Sequence, residues 1–301
     1  MIKKRKKAVG FNKPWEAYAF LTPWILGLLC FTVIPMAMSL YFSFTQYDML
    51  TPPRWVGLRN FTDMLEDSRL HKSLQVTSTF VFLGIPVQLT FALFVAVALR
   101  ANRFGIRFYR AVYYLPSLFG GSVAVSLLWR QIFNREGVVN HFLALFGIEG
   151  INWIGTPDTV LYTLILLQVW QFGSSMVIFL GGLKGISQEY YEAAAIDGAG
   201  KIGCFRFITL PLLTPMIFFN LVMGIIGAFQ SFTSAFIISG GGGGPLDAIL
   251  FYTLYLYTRA FRHFAMGYAS AMAWFLLVII AFVTRLLFIS SKRWVYYEDR
   301  T

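Results

Sequence analysis

Residues 192–215 read EAAAIDGAGKIGCFRFITLPLLTP, a break in hydrophobicity between two long apolar runs. Ser187, just upstream, can accept a backbone N–H as a helix N-cap, and Glu189 and Glu192 then sit at the positive end of the helix dipole. Ala193, Ala194 and Ala195 leave little side chain on that helix, so a partner surface can approach its backbone. Gly198 suits the left-handed residue that closes a helix. A second short helix is expected from Lys201 and is expected to stop before Pro211, because the residue preceding a proline avoids helical geometry. The product is a helix–turn–helix knob between two membrane spans. The bland alternative is a capped polar loop, against which the Asp197–Gly198 pair and the distal Leu210–Pro211 both speak.

The flanks decide the fold class. The chain has 301 residues, 57% hydrophobic and 18% aromatic with only 13% charged, which defines an all-α polytopic membrane protein rather than a soluble globule. Six apolar segments are long enough to cross a bilayer, at about 18–44, 74–99, 108–130, 160–183, 208–239 and 268–290. The start, Lys3 to Lys7 followed by an apolar run from Tyr18, has the outline of a signal peptide. That run continues past Pro23 and Pro35 to Phe44 without a cleavage site and is read as a retained first span. The expected domains are a basic cytoplasmic N-terminus (1–17), a transmembrane domain (18–291) with a cytoplasmic loop (184–207), and a cytoplasmic C-terminus (292–301).

Net charge is +11, and the basic residues gather at span ends, which favours a membrane topology signal over nucleic-acid binding. With the N-terminus inside, 17 of the 25 Lys and Arg residues are cytoplasmic. The other eight (Arg54, Arg59, Arg69, Lys72, Arg130, Arg135, Arg259 and Arg262) are outside. Both termini and the Glu192 loop are therefore expected in the cytoplasm. Cys30 and Cys204 fall at different depths, so no disulfide is expected.

The chemistry is that of a conduit. Gly200–Lys201 is followed by Ile202, so no phosphate-binding GxxxxGK[ST] loop is present, and the chain is not expected to be an enzyme or to hold a cofactor or metal. His71, His141 and His263 are far apart in outer loops. None of the 14 carboxylates falls in the middle of a predicted span, whereas ion-coupled carriers commonly keep one at depth. The polar residues at depth are neutral: Gln168, Gln171, Ser174 and Ser175 beside Trp170, then Asn220, Gln230, Ser231, Thr233 and Ser234 beside Phe229 and Phe232. Amides and hydroxyls offer both donors and acceptors, and aromatic rings cover an apolar sugar face, so this set suits a neutral polyhydroxylated ligand. Helix–helix hydrogen bonding is the competing use. Trp170, Gln171, Ser174, Phe229, Gln230, Ser231 and Ser234 are the expected substrate path. Gly240–Gly244 before Pro245 is expected to be a loop that lets the last two spans rearrange.

Glu192, Ala193, Ala194, Asp197, Gly198, Phe205, Leu210 and Pro211 have a spacing that resembles the EAA loop of binding-protein-dependent ABC importer permeases. From LTPWILGLLCFTVIPMAMSLYFSFTQYD to the C-terminal SKRWVYYE, with WVGLRNF near residue 55, the chain resembles the sugar-importer permeases of that superfamily. The resemblance implies a type I permease bundle in a bacterial cell membrane, importing a sugar or oligosaccharide. It also implies a second permease subunit, two ATPase subunits carrying ATP and Mg on the EAA loops, an external solute-binding protein, and alternating access. In the maltose permease the corresponding part of the fifth span lines the sugar site, with asparagines where this chain has Gln230 and Ser231. The large external domain of the maltose-type subunit is absent here. A secondary sugar carrier and a non-transporting assembly protein are the alternatives. The first is disfavoured by the lack of buried carboxylates, and the second would not need the coupling motif.

Overall fold

A computed structural model describes residues 14–101 and 104–296. The basic run Lys3–Lys7, Lys13, Arg103 and the residues from 297 onward lie outside the described residues, and with them most of the two terminal segments expected above.

The first span is one long helix in two pieces, α1 (Pro14–Leu28) and α2 (Ile34–Ser43), joined through a π-turn at Leu29–Val33. Pro35 cannot donate to the turn before it, and the wider turn takes up the lost bond through Ile34 N–H to Leu29 O. None of this span's most apolar window is buried within the chain, and α2 packs against the last helix. A two-residue hairpin follows, Thr45–Gln46 (β1) paired antiparallel with Arg54–Trp55 (β2). Trp55 thus lies in a strand and stacks on Phe44. A short helix, α3 (Arg59–Glu66), comes next, and Asp67 ends it and caps α4 (Ser68–Ala98). Buried Asn60 donates to Ser43 O and Thr45 O, both at 2.9 Å, and closes the hairpin.

α4 is the axis of the bundle, packing on the fourth and fifth spans. The third predicted crossing is not one helix. α5 (Ile106–Leu118) and α6 (Val123–Ile132) meet at 98°. Gly121 takes φ +72° at the corner and Ser122 caps α6 by accepting Val125 N–H, so these small residues break the span. α7 (Val138–Ala144) lies outside it. The fourth crossing is bent by 41° between α8 (Pro157–Trp170) and α9 (Gly173–Gly185). Among the described residues, four helices are long and apolar enough to cross a membrane, six if each bent pair is one span.

The loop then forms α10 (Gln188–Ile196) and α11 (Lys201–Cys204), and a π-turn at Phe205–Thr209 leads straight into α12 (Leu210–Phe229). The second loop helix therefore does not stop before Pro211. The same device used at Pro35 absorbs the proline, with Leu210 N–H reaching back to Phe205 O. After a break at residues 230–232 comes α13 (Thr233–Ser239). The glycine run is an ordered turn: Gly240, Gly241, Gly243 and Gly244 all have positive φ, and Ile249 N–H closes onto Gly243 O. Beyond it the chain re-enters the core as α14 (Tyr252–Tyr257), whose Tyr252 and Tyr255 are fully buried, an element the loop reading did not anticipate. α15 (Met266–Trp294) completes the bundle, ending four residues past the expected end of the last span.

Candidate functional site

Three of the helix breaks converge. Gly121 from the α5–α6 corner, Gln171 from the α8–α9 bend and Gln230 to Ser234 from the α12–α13 break line one cavity of about 390 Å³. α4 closes it with Phe80, Ile85 and Gln88. In a bilayer, non-helical backbone is tolerated only where it is buried in protein or faces a polar space. No charged side chain lines this cavity.

Of the expected path residues, Gln171, Gln230, Ser231 and Ser234 are in the lining. Trp170, Ser174 and Phe229 are not. Trp170 packs on Trp129, Ser174 is exposed on α9, and Phe229 is buried behind the wall, edge-on to Phe82. Trp170 and Phe229 are one position from a lining residue and so point to another face, and Ser174 lies beyond the α8–α9 bend, which carries it off the face of Gln171. Asn220 is packing as well, donating to Met216 O one turn back.

Gln88 was invisible in sequence, a single amide in an apolar run. Its Nε2 donates to Gln171 O at 3.3 Å, meeting a carbonyl that the α8–α9 bend sets free. Its Oε1 accepts Gln168 Nε2 at 3.4 Å. Gln168 Oε1 is buried with no partner, and it sits where a Cβ on Gly84 would come within 2.7 Å. The amide chain thus starts on backbone and ends on an unused acceptor at the cavity wall.

The loop residues are held as follows. Ser187 Oγ accepts Glu189 N–H, and Glu192 and Ala193 are exposed on α10 with Ala194 half-buried. Asp197 ends the helix. Gly198, at φ +78°, makes a Schellman close with Gly198 N–H to Ala195 O and Ala199 N–H to Ala194 O. Phe205 opens the π-turn, and Leu210 and Pro211 open α12. Ile196, Ile202 and Phe207 stand 88%, 84% and 75% exposed, an apolar surface on a protruding knob.

At the opposite end of α4 lies a charged cluster that the sequence reading passed over as loop residues. Asp67 Oδ1 accepts the N–H groups of Arg69 and Leu70, while Oδ2 accepts from Tyr255 (2.6 Å), Tyr268 (2.8 Å) and Arg259 (2.8 Å). Burial pushes this carboxyl up, but the hydrogen bonds from Tyr255, Arg259 and Tyr268 outweigh it and hold the pKa at about 2. Arg69 grips Asp247 through two bonds of 2.7 and 2.8 Å, tying α4 to the segment after the glycine turn.

This architecture is that of a binding-protein-dependent transport system inner membrane component. The model of that family matches residues 66–296, and the chain belongs to it. The probable ABC transporter permease protein YesP of Bacillus subtilis (strain 168) is 56% identical over 285 residues, covering 94% of this chain and 92% of that protein. The lactose transport system permease protein LacF of Rhizobium radiobacter is 30% identical over 285 residues, covering 92% and 94%. Among solved structures, a bacterial alginate ABC transporter in complex with alginate pentasaccharide-bound periplasmic protein superposes with a TM-score of 0.80. It is 20% identical and covers 93% of this chain and 94% of that one, a likeness of fold. The chain is thus a transport permease, and the readings as a secondary carrier or an assembly protein fall away.

Proposed function

We propose that this permease subunit imports a sugar or oligosaccharide, that the 390 Å³ cavity is part of the path, and that α10 with its flanks receives the ATPase. The convergence of three broken spans on an uncharged, amide-lined cavity carries the reading. Gln88, Gln168, Gln171 and Gln230 offer donors and acceptors without a charge to neutralise, which suits hydroxyl groups. A relative named for lactose transport supports the substrate class. The exposed Ile196, Ile202 and Phe207 around Glu192 support a docking surface on the loop. ATP and Mg would act on two ATPase subunits, beside a second permease subunit and an external solute-binding protein. The expected topology is both termini inside, from the split of basic residues.

The test is uptake of an oligosaccharide panel by cells expressing Gln230→Ala, with melting of the purified complex measured on the same preparation. Reduced uptake with unchanged melting supports the path. Unchanged uptake with lowered melting assigns Gln230 to packing and refutes it. For the loop, Glu192→Ala combined with Gly198→Asp should leave membrane insertion intact and weaken ATPase co-purification. A single-cysteine scan that labels position 200 from outside would overturn the topology.

A further inference from the structure

Tyr191 lies inside the loop motif, between Glu189 and Glu192, yet it faces the bundle. Its ring lies 4.5 Å under the Arg100 guanidinium, and its hydroxyl accepts Arg100 Nη1–H at 3.0 Å. The same hydroxyl lies 2.9 Å from Thr209 Oγ1, and Thr209 donates onward to Cys204 O at 3.3 Å. Arginine can only donate and a backbone carbonyl can only accept, so the chain runs one way: Arg100 to Tyr191, Tyr191 to Thr209, Thr209 to Cys204. Such head-to-tail bonds reinforce one another where water is scarce, and Thr209 is buried.

The two partners matter for what they continue into. Arg100 follows the last turn of α4, whose end is also gripped by Arg110 donating to Leu99 O at 2.6 Å. Ten residues up α4 from Ala98, about 15 Å at the helical rise, is Gln88 in the cavity. Thr209 immediately precedes α12, which carries Met223 and Gly227 into the same cavity. One hydroxyl therefore joins the exposed loop helix to α4 and α12, two helices that pack on each other and both line the cavity. Packed helices transmit a displacement as rigid bodies, because close-packed interiors shift between discrete arrangements rather than deform.

We propose that Tyr191 is a positioning residue through which movement of the loop helix is passed to α4 and α12, and so to the cavity; this rests on the loop being the ATPase-receiving element. Its role is distinct from that of Glu192 and Ala193, which face outward.

The test uses the assembled transporter, co-expressed with its partner subunits and reconstituted in liposomes. Ser234→Cys, in a Cys30→Ser, Cys204→Ser background, reports cavity access through its labelling rate with a water-soluble maleimide. Labelling is compared without nucleotide and with ATP, Mg and vanadate. With Tyr191 intact, the rate should change severalfold on trapping. Tyr191→Phe, which removes one oxygen, and Thr209→Val, which removes its partner without touching the loop surface, should both abolish that change while the ATPase subunits co-purify at the same yield. Arg100→Lys should leave a reduced change, since the ammonium keeps the charge but not the planar stacking. A full nucleotide-dependent change in Tyr191→Phe or in Thr209→Val would overturn the proposal. So would loss of ATPase co-purification in Tyr191→Phe, which would make Tyr191 a builder of the docking surface. Failure of the ATPase to co-purify with the Tyr191-intact chain would sink the loop reading itself and this proposal with it.

Discussion

Asp67 and Gln168 are both polar groups packed among apolar helices, and the fold treats them in opposite ways. Asp67 spends both oxygens, five hydrogen bonds in all, on α4's own first turn and on α14 and α15. Gln168 makes one 3.4 Å bond and leaves its carbonyl oxygen bare and buried. A saturated charge has nothing left for a ligand and acts as a clamp. A bare neutral acceptor costs the folded state an unmade hydrogen bond until something with a donor arrives. The difference separates where the bundle is tied from where it is open.

The largest expected effect is at the clamp. Asp67→Ala would leave the Arg259 guanidinium and two tyrosine hydroxyls without their acceptor, a loss on the order of 3 kcal/mol for a mostly buried pair. The complex should melt several degrees lower in detergent, and the surviving fraction should transport with unchanged apparent affinity. An affinity change at unchanged stability would put Asp67 in the path and erase the contrast. The cavity should behave in reverse. Gln168→Ala or Gln230→Ala removes a hydrogen bond to the ligand of about 1 kcal/mol, roughly fivefold in apparent affinity, with little change in melting.

Acidity sharpens the same comparison. Asp67 is held at about 2, below its ordinary 3.8, so its stabilising contribution is fully present above the ordinary value. It should fade as pH falls from about 4 through 2. Melting curves of wild type and Asp67→Asn should differ at neutral pH and converge in acid. A gap that stays constant to pH 2 would show that the clamp does not depend on this charge.

Smaller still is Gly84→Ala. Its Cβ would meet Gln168 Oε1 at 2.7 Å, the far end of a flexible side chain, so the amide must swing aside while the helix stays. Uptake should shift in selectivity across the panel with melting within about 1 kcal/mol of wild type. At the bottom of the scale, Arg59→Ala breaks an exposed 4.0 Å pair with Asp63 and should change stability by less than about 0.5 kcal/mol.

Much of this was legible beforehand. Long apolar runs announce spans because lipid offers the backbone no partner, so each crossing must be a continuous stretch of mostly apolar residues. Ser187 and Gly198 announce a cap and a stop because their chemistry acts locally, within one turn of themselves. The placement of Gln171, Gln230, Ser231 and Ser234 in one cavity followed from reading neutral polar residues at depth as a set. Pro211 misled because the rule for residues before proline says nothing of a π-turn that can absorb the missing bond. The 98° corner at Gly121 falls inside the single span expected at 108–130, since glycine permits a continuous helix or a corner and only the neighbours choose.

What the sequence determined by itself is therefore what local chemistry and a membrane solvent dictate: spans, loop caps and the absence of a phosphate-binding motif. The tertiary structure decided which polar residues meet. Gln88 looks like any isolated amide in an apolar helix until the α8–α9 bend frees a carbonyl beside it, 83 residues away. Tyr255 and Arg259 read as loop residues until the glycine turn folds α14 back into the core, against an aspartate 188 and 192 positions earlier. Such pairings depend on helix packing across the whole bundle, and a six-residue buried helix such as α14 is too short to carry a periodic pattern of its own.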